Sequence, residues 1–86
     1  MIKREVLVVE NTTGIHARLA QQIVHAASKY ESDILLKYKG WEIDVKSILG
    51  LMSLAIPEGE RLEIVATGED ATEVINELKP ILSKIE

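Results

Sequence analysis

Apolar and polar positions alternate along this chain in two distinct periods. From Ile2 to Val9 the residues are rich in Val and Leu, with charges confined to the first half, in a run short enough for a β-strand. Such a run suits a strand inside a sheet better than one at its edge. A polar loop, Glu10 to Gly14, follows with the Asn, Thr and Gly expected of a turn. Ala20, Ile23, Val24 and Ala27 then recur at the spacing of one helix face, predicting a first helix from about Ala17 to Tyr30. Ile34, Leu36 and Tyr38 alternate as a second strand, and Trp41, Ile43 and Val45 as a third. Lys39-Gly40 between them reads as the turn of a hairpin.

Lys46-Ser47 opens the run Ile48-Leu49-Gly50-Leu51-Met52-Ser53-Leu54, a short second helix with Ser47 as its N-cap. A loop from Ala55 to Gly59 leads to a fourth strand through Leu62, Ile64 and Ala66. Asp70, with Glu73 three residues on, has the form of a capping box. It introduces a last helix carrying Ala71, Val74, Ile75, Leu78, Leu82 and Ile85 at helical spacing. Pro80 cannot donate to the carbonyl of Asn76, so a kink, or a helix that stops and restarts, is expected there. The order is β-α-β-β-α-β-α: an α+β open-faced two-layer sandwich, with three helices on one face of a four-stranded sheet. Residues 1–86 are expected to form one domain.

Composition narrows the chemistry. The chain is 47% hydrophobic and 28% charged, as in an ordinary globular protein, with an almost wholly aliphatic core. A net charge of −4 argues against general nucleic-acid binding. An RNA-binding domain fits poorly for the further reason that the strands lack paired exposed aromatics. There are no cysteines, so disulfides and thiolate chemistry are excluded. The N-terminus lacks the apolar core of a signal peptide, and no run approaches a membrane span, so a cytoplasmic monomer without membrane insertion is expected.

The stretch Asn11-Thr12-Thr13-Gly14-Ile15-His16-Ala17-Arg18 concentrates the candidate chemistry. It puts an imidazole at the opening turn of a helix, where backbone N–H groups and a partial positive charge favour anions, phosphate in particular. An arginine follows two residues later. Histidine is largely unprotonated near neutral pH, forms a labile P–N bond and can release the group again. His16 is therefore the candidate phosphoryl acceptor, with the N–H groups of Ala17 and Arg18 and the Arg18 guanidinium as the candidate phosphate site. The bland alternative is an inert histidine at a loop–helix junction. Thr13 could offer its hydroxyl to a phosphate, but a turn residue explains it as well.

His25 lies nine residues along the helix, roughly 13 Å away, too far to share a metal or a proton with His16. It is read as a surface residue, and neither metal nor other cofactor is expected. Ile48, Leu49, Leu51 and Met52 crowd more apolar surface into a short helix than one face can bury. Part of it is expected to stay exposed as a docking patch, rimmed by Arg18, Lys46 and Lys29. Trp41 at the hairpin is given no role.

Two of these segments, with the element order and length, resemble the HPr family, the histidine-containing phosphocarriers of the bacterial phosphotransferase sugar-uptake system. Gly14-Ile15-His16-Ala17-Arg18 is similar to its active-site motif, and Lys46-Ser47-Ile48-Leu49-Gly50-Leu51-Met52-Ser53-Leu54 to its regulatory-serine motif. The resemblance implies a four-stranded antiparallel sheet with three helices on one side. It implies that His16 takes a phosphoryl group from enzyme I, itself charged by phosphoenolpyruvate, and passes it to enzyme IIA proteins. Such a protein is a carrier and not an enzyme. By the same resemblance the phosphate sits on Nδ1, a choice the sequence alone leaves open.

In some bacteria an HPr kinase/phosphorylase modifies the serine matching Ser47, and that form assists a catabolite-control repressor. A related group replaces the histidine and keeps only the regulatory role. The corresponding second reading is a non-transferring binding module acting through Ser47 and the apolar patch; Ser47 as a plain N-cap is also a complete structural explanation. One departure from the family matters: proline nearly always follows the active-site arginine, and here Leu19 stands there, while Pro80 in the last helix is a second, milder oddity remote in sequence from the site. Proline suits a first helical turn because its missing N–H costs nothing there.

Overall fold

The computed structural model describes residues 1–83. Its elements are β1 (Ile2–Val8), α1 (Ala17–Ser28), β2 (Asp33–Tyr38), β3 (Trp41–Asp44), α2 (Ile48–Leu54), β4 (Arg61–Thr67) and α3 (Ala71–Leu82). The four strands form one antiparallel sheet in the order β1-β4-β2-β3, so the fold is the expected α+β open-faced sandwich.

Period-two alternation decides which side of the sheet is covered. Leu7, Ile34, Leu36, Leu62, Ile64 and Ala66 are buried in one cluster with Leu19, Ala20 and Ile23 of α1, Leu51 of α2, and Val74 and Leu78 of α3. On the opposite face Ile2, Val6, Val8 and Leu35 remain exposed. β1 is an edge strand and not the interior strand its apolar run suggested. Every other residue of that run faces away from the helices, and only Leu7 and Val9 are buried. Apolar content alone thus misjudged its position.

The hairpin turn is as the Lys39-Gly40 pair implies. Both residues have positive φ, 48° and 83°, the pattern of a type I′ turn, which matches the twist of the flanking strands. α1 ends at Ser28, two residues earlier than expected, and Tyr30 N–H closes the end on the carbonyl of Ala27.

One expectation for α3 is corrected, and of the two outcomes expected at Pro80 the early stop does not occur. Asp70 is at the N-cap, but its side chain makes no cap bond. Its carboxylate instead accepts from the backbone N–H groups of Glu31 and Ser32 and from the Ser32 hydroxyl, tying the α1–β2 connection to the start of α3. Three donors outside the helix outbid the local capping geometry. The helix also does not stop at Pro80. It runs on to Leu82 with Pro80 in its last turn, and the carbonyl of Asn76, which Pro80 cannot serve, belongs to an exposed residue. Ile85, the last apolar residue of the expected stripe, lies outside the described residues. Among the described residues no helix is long and apolar enough to cross a membrane.

Candidate functional site

The loop from Glu10 to His16 is fixed at both ends before any chemistry is considered. Val9 donates to the carbonyl of Glu60, Glu10 to that of Leu82, and Ile15 to that of Ile56 at 2.9 Å. Asn11 is fully buried and its Nδ2 reaches the carbonyl of Ile81 at 3.5 Å. Gly14 turns the chain with φ +66°, and a β-carbon there would lie 2.5 Å from the Ile56 carbonyl oxygen and 2.9 Å from Pro57 Cα. Only glycine meets both demands, the left-handed φ and the missing side chain. The loop therefore packs on the α2–β4 connection, and Ile15 is buried beneath it.

His16 emerges from this anchored loop as the N-cap of α1, with extended backbone (φ −103°, ψ 178°). Its carbonyl accepts from Ala20 N–H at 2.8 Å, the first bond of the helix, and its Nδ1 accepts from Leu19 N–H at 3.4 Å. The ring thus takes the capping role usual for Ser, Thr, Asp or Asn, with Nδ1 turned toward the helix start. It is half-buried, and Ala17 and Arg18, the first two helical residues, are exposed. Thr13 is exposed in the turn, and His25 is exposed on α1. His16, Ala17 and Arg18 are consecutive at one helix opening, which is the grouping the motif required.

Ser47 caps α2 as its position suggested: its Oγ accepts from Gly50 N–H at 3.1 Å. Ala55 ends the helix in the left-handed conformation, φ 49°. Within α2 the four candidate docking residues divide. Leu49 is 82% exposed, Met52 43% and Ile48 38%, whereas Leu51 is completely buried. Leu51 therefore belongs to the core and not to a docking surface. Helical spacing of about 100° per residue turns it nearly opposite Leu49 and about a quarter turn from Met52.

Two of the lysines expected at the basic rim also have partners within the fold. Lys29 pairs with Glu77, and the Lys46 ammonium donates to the carbonyl of Tyr30 at 2.8 Å. The Lys29 bond, with a second from the Tyr30 hydroxyl at 2.6 Å, holds the Glu77 carboxyl below the usual range. A similar knot joins the hairpin to β4. The Tyr38 hydroxyl donates to Glu60 at 2.7 Å and Lys39 pairs with it at 3.1 Å, lowering the Glu60 carboxyl and raising the Tyr38 phenol.

Trp41 is exposed and, with Tyr38, Lys39, Ser53 and Leu54, lines an open cavity of about 400 Å³ between the hairpin and the end of α2. Two contributors to the site were not evident from the sequence. Asn11, read as a turn residue, is a buried strut, and the Leu19 backbone N–H reaches the imidazole. A buried polar residue in a turn leaves no periodic signal, and a backbone donor leaves none at all.

Comparison with known proteins points in one direction. A family model described as the PTS HPr component phosphorylation site matches residues 3–84. HPr-C-His from Thermoanaerobacter tengcongensis is 35% identical, covering 93% of this chain and 90% of its own, with a TM-score of 0.89. The phosphocarrier protein HPr from Bacillus anthracis is 32% identical, covering 94% and 96%, with a TM-score of 0.90. Crh, the catabolite repression protein of Bacillus subtilis, is 36% identical, covering 87% and 86%, with a TM-score of 0.78; its crystal structure is a domain-swapped, intertwined dimer.

Proposed function

This chain belongs to the HPr family of the phosphotransferase system, and we propose that within it His16 is the residue that carries the phosphoryl group. The observation that supports this most is the position of the ring: an imidazole caps α1 with Nδ1 turned toward the helix start, two residues before Arg18. A dianion on that nitrogen meets the positive end of the helix dipole and the guanidinium. In the transfer step the Nδ1 lone pair attacks phosphorus. The bond from phosphorus to the donor's leaving atom breaks, and its electron pair stays with the donor. The imidazole proton remains on Nε2. Little covalent machinery is needed, because phosphoryl transfer depends on positioning and charge stabilisation, most of which a partner can supply.

In this reading enzyme I, charged by phosphoenolpyruvate, is the donor and enzyme IIA domains are the acceptors. Ile48, Leu49 and Met52 form the apolar part of the docking face. The protein turns over nothing unaided and works in the cytoplasm as a carrier. Ser47 is the proposed regulatory site, modified by an HPr kinase/phosphorylase and then favouring a catabolite-control repressor. Its partial exposure beside that apolar face supports the assignment. Similarity to Crh keeps the purely regulatory reading in view, but retention of His16 favours the carrier.

Incubation with radiolabelled phosphoenolpyruvate and enzyme I tests the proposal. An acid-labile phosphate on the wild type, absent from His16→Ala, is the expected result. Labelling that persists in His16→Ala moves the site elsewhere.

A further inference from the structure

Leu19, which stands where the resemblance to the family leads one to expect proline, touches the imidazole through its backbone. Leu19 is the third helical residue, so no carbonyl within α1 serves its N–H. A proline there would have no hydrogen to give. Here the N–H exists and donates to His16 Nδ1 at 3.4 Å, while the His16 carbonyl is taken by Ala20. The donor is also rigid, because the Leu19 side chain is 1% exposed and locked in the core.

We infer that the Leu19 amide is a switching donor, bound to Nδ1 of the unmodified ring and passed to a phosphoryl oxygen once Nδ1 carries the group. The inference rests on the carrier reading above. A nitrogen that accepts a hydrogen bond is unprotonated, so the bond keeps the neutral ring's proton on Nε2 and the lone pair on Nδ1. At 3.4 Å the bond lies at the long end of its class and is readily broken. When the lone pair forms the N–P bond and the donor's leaving atom departs with its own pair, Nδ1 stops being an acceptor. The phosphoryl oxygens then attached to it are the acceptors nearest the Leu19 hydrogen. A bond to an anionic oxygen is shorter and about twice as strong as the neutral one it replaces. Leu19 is thus a positioning residue whose amide favours the phosphorylated form.

The test follows the Leu19 amide of the wild-type protein by ¹H–¹⁵N NMR. Its proton resonance is expected to move upfield in His16→Ala, which removes the Nδ1 acceptor. It is expected to move downfield when the protein is phosphorylated by enzyme I. The equilibrium of phosphoryl exchange with enzyme I is then compared in Leu19→Pro, which lacks the hydrogen, and Leu19→Ala, which keeps it while losing the side chain. Leu19→Pro should hold the group about fivefold less favourably than Leu19→Ala. Equal exchange constants, or an amide resonance indifferent to phosphorylation, overturn the inference. If Leu19→Pro does not fold, the wild-type resonance decides alone. Failure of the wild type to take any label counts against the carrier reading instead, and the amide's response to His16→Ala still tests the contact in the unmodified protein.

Discussion

Ile15 donates its backbone N–H to the carbonyl of Ile56 at 2.9 Å, joining the loop that presents the imidazole to the connection that follows α2. His16 is therefore oriented by a contact between residues 41 positions apart in the chain. Gly14 makes the approach feasible, because a β-carbon would collide with the same Ile56 carbonyl. Gly14→Ala should cost at least about 1–2 kcal/mol for the left-handed backbone alone, with the collision added. Urea denaturation measures that loss. The displaced loop should also slow phosphorylation by enzyme I in molecules that remain folded, which rapid-quench labelling at a denaturant-free condition reads directly. A variant as stable and as quickly labelled as wild type would show that the close packing is dispensable.

Leu49 and Leu51 are two residues apart and opposite in consequence. Leu51→Ala empties a fully buried site and should lower stability by about 2–5 kcal/mol. Leu49→Ser removes an exposed side chain and should change stability by no more than about 0.5 kcal/mol, yet weaken binding to enzyme I. Calorimetric titration with enzyme I against the urea midpoints of both variants separates the roles. Undiminished affinity in Leu49→Ser would remove that residue from the docking face.

Ser47 has a structural task independent of any modification. Ser47→Ala deletes the acceptor for Gly50 N–H and should cost about 1 kcal/mol. Ser47→Asp replaces one good N-cap by another and should leave stability close to wild type. A kinase-dependent, acid-stable phosphate absent from both variants would then report regulation and not a folding defect. If Ser47→Ala keeps the mark, the modified residue lies elsewhere.

These contrasts also show where the sequence is informative. The strand and helix periods are local properties, so β2, β3, β4 and the faces of α1 and α3 follow from spacing. The Ser47 cap is also legible, since an N-cap depends on residues within a single turn, whereas the imidazole cap of α1 is not a residue type that the capping pattern singles out. Leu51 was grouped with its exposed neighbours because composition counts apolar residues without turning them about the helix axis. The edge position of β1 and the task of Asp70 depend on which segments meet across the chain. No window of neighbouring residues encodes that. The long-range partners of Lys29 and Lys46, Glu77 and the Tyr30 carbonyl, were hidden for the same reason.

Asp70 gives the fold a defined response to acid. Its carboxylate is held below the ordinary range chiefly by the Ser32 hydroxyl, then by the Glu31 N–H, with a smaller contribution from Ser32 N–H. A carboxyl lowered in the folded state binds its proton more readily when unfolded, so its stabilisation is complete above the unfolded value of about 3.9. It is lost as pH falls through the lower, folded value. Asp70→Asn replaces an acceptor facing three donors by an amide that must present hydrogens to some of them, and should be less stable than wild type at pH 7. Glu60 and Glu77 are also lowered, but they are common to both proteins and cancel in the comparison. Urea midpoints of the two proteins measured from neutral pH downward should therefore converge below the ordinary aspartate range. A gap that stays constant with pH would mean that the Asp70 charge contributes nothing, and that the clamp between the α1–β2 connection and α3 rests on shape alone.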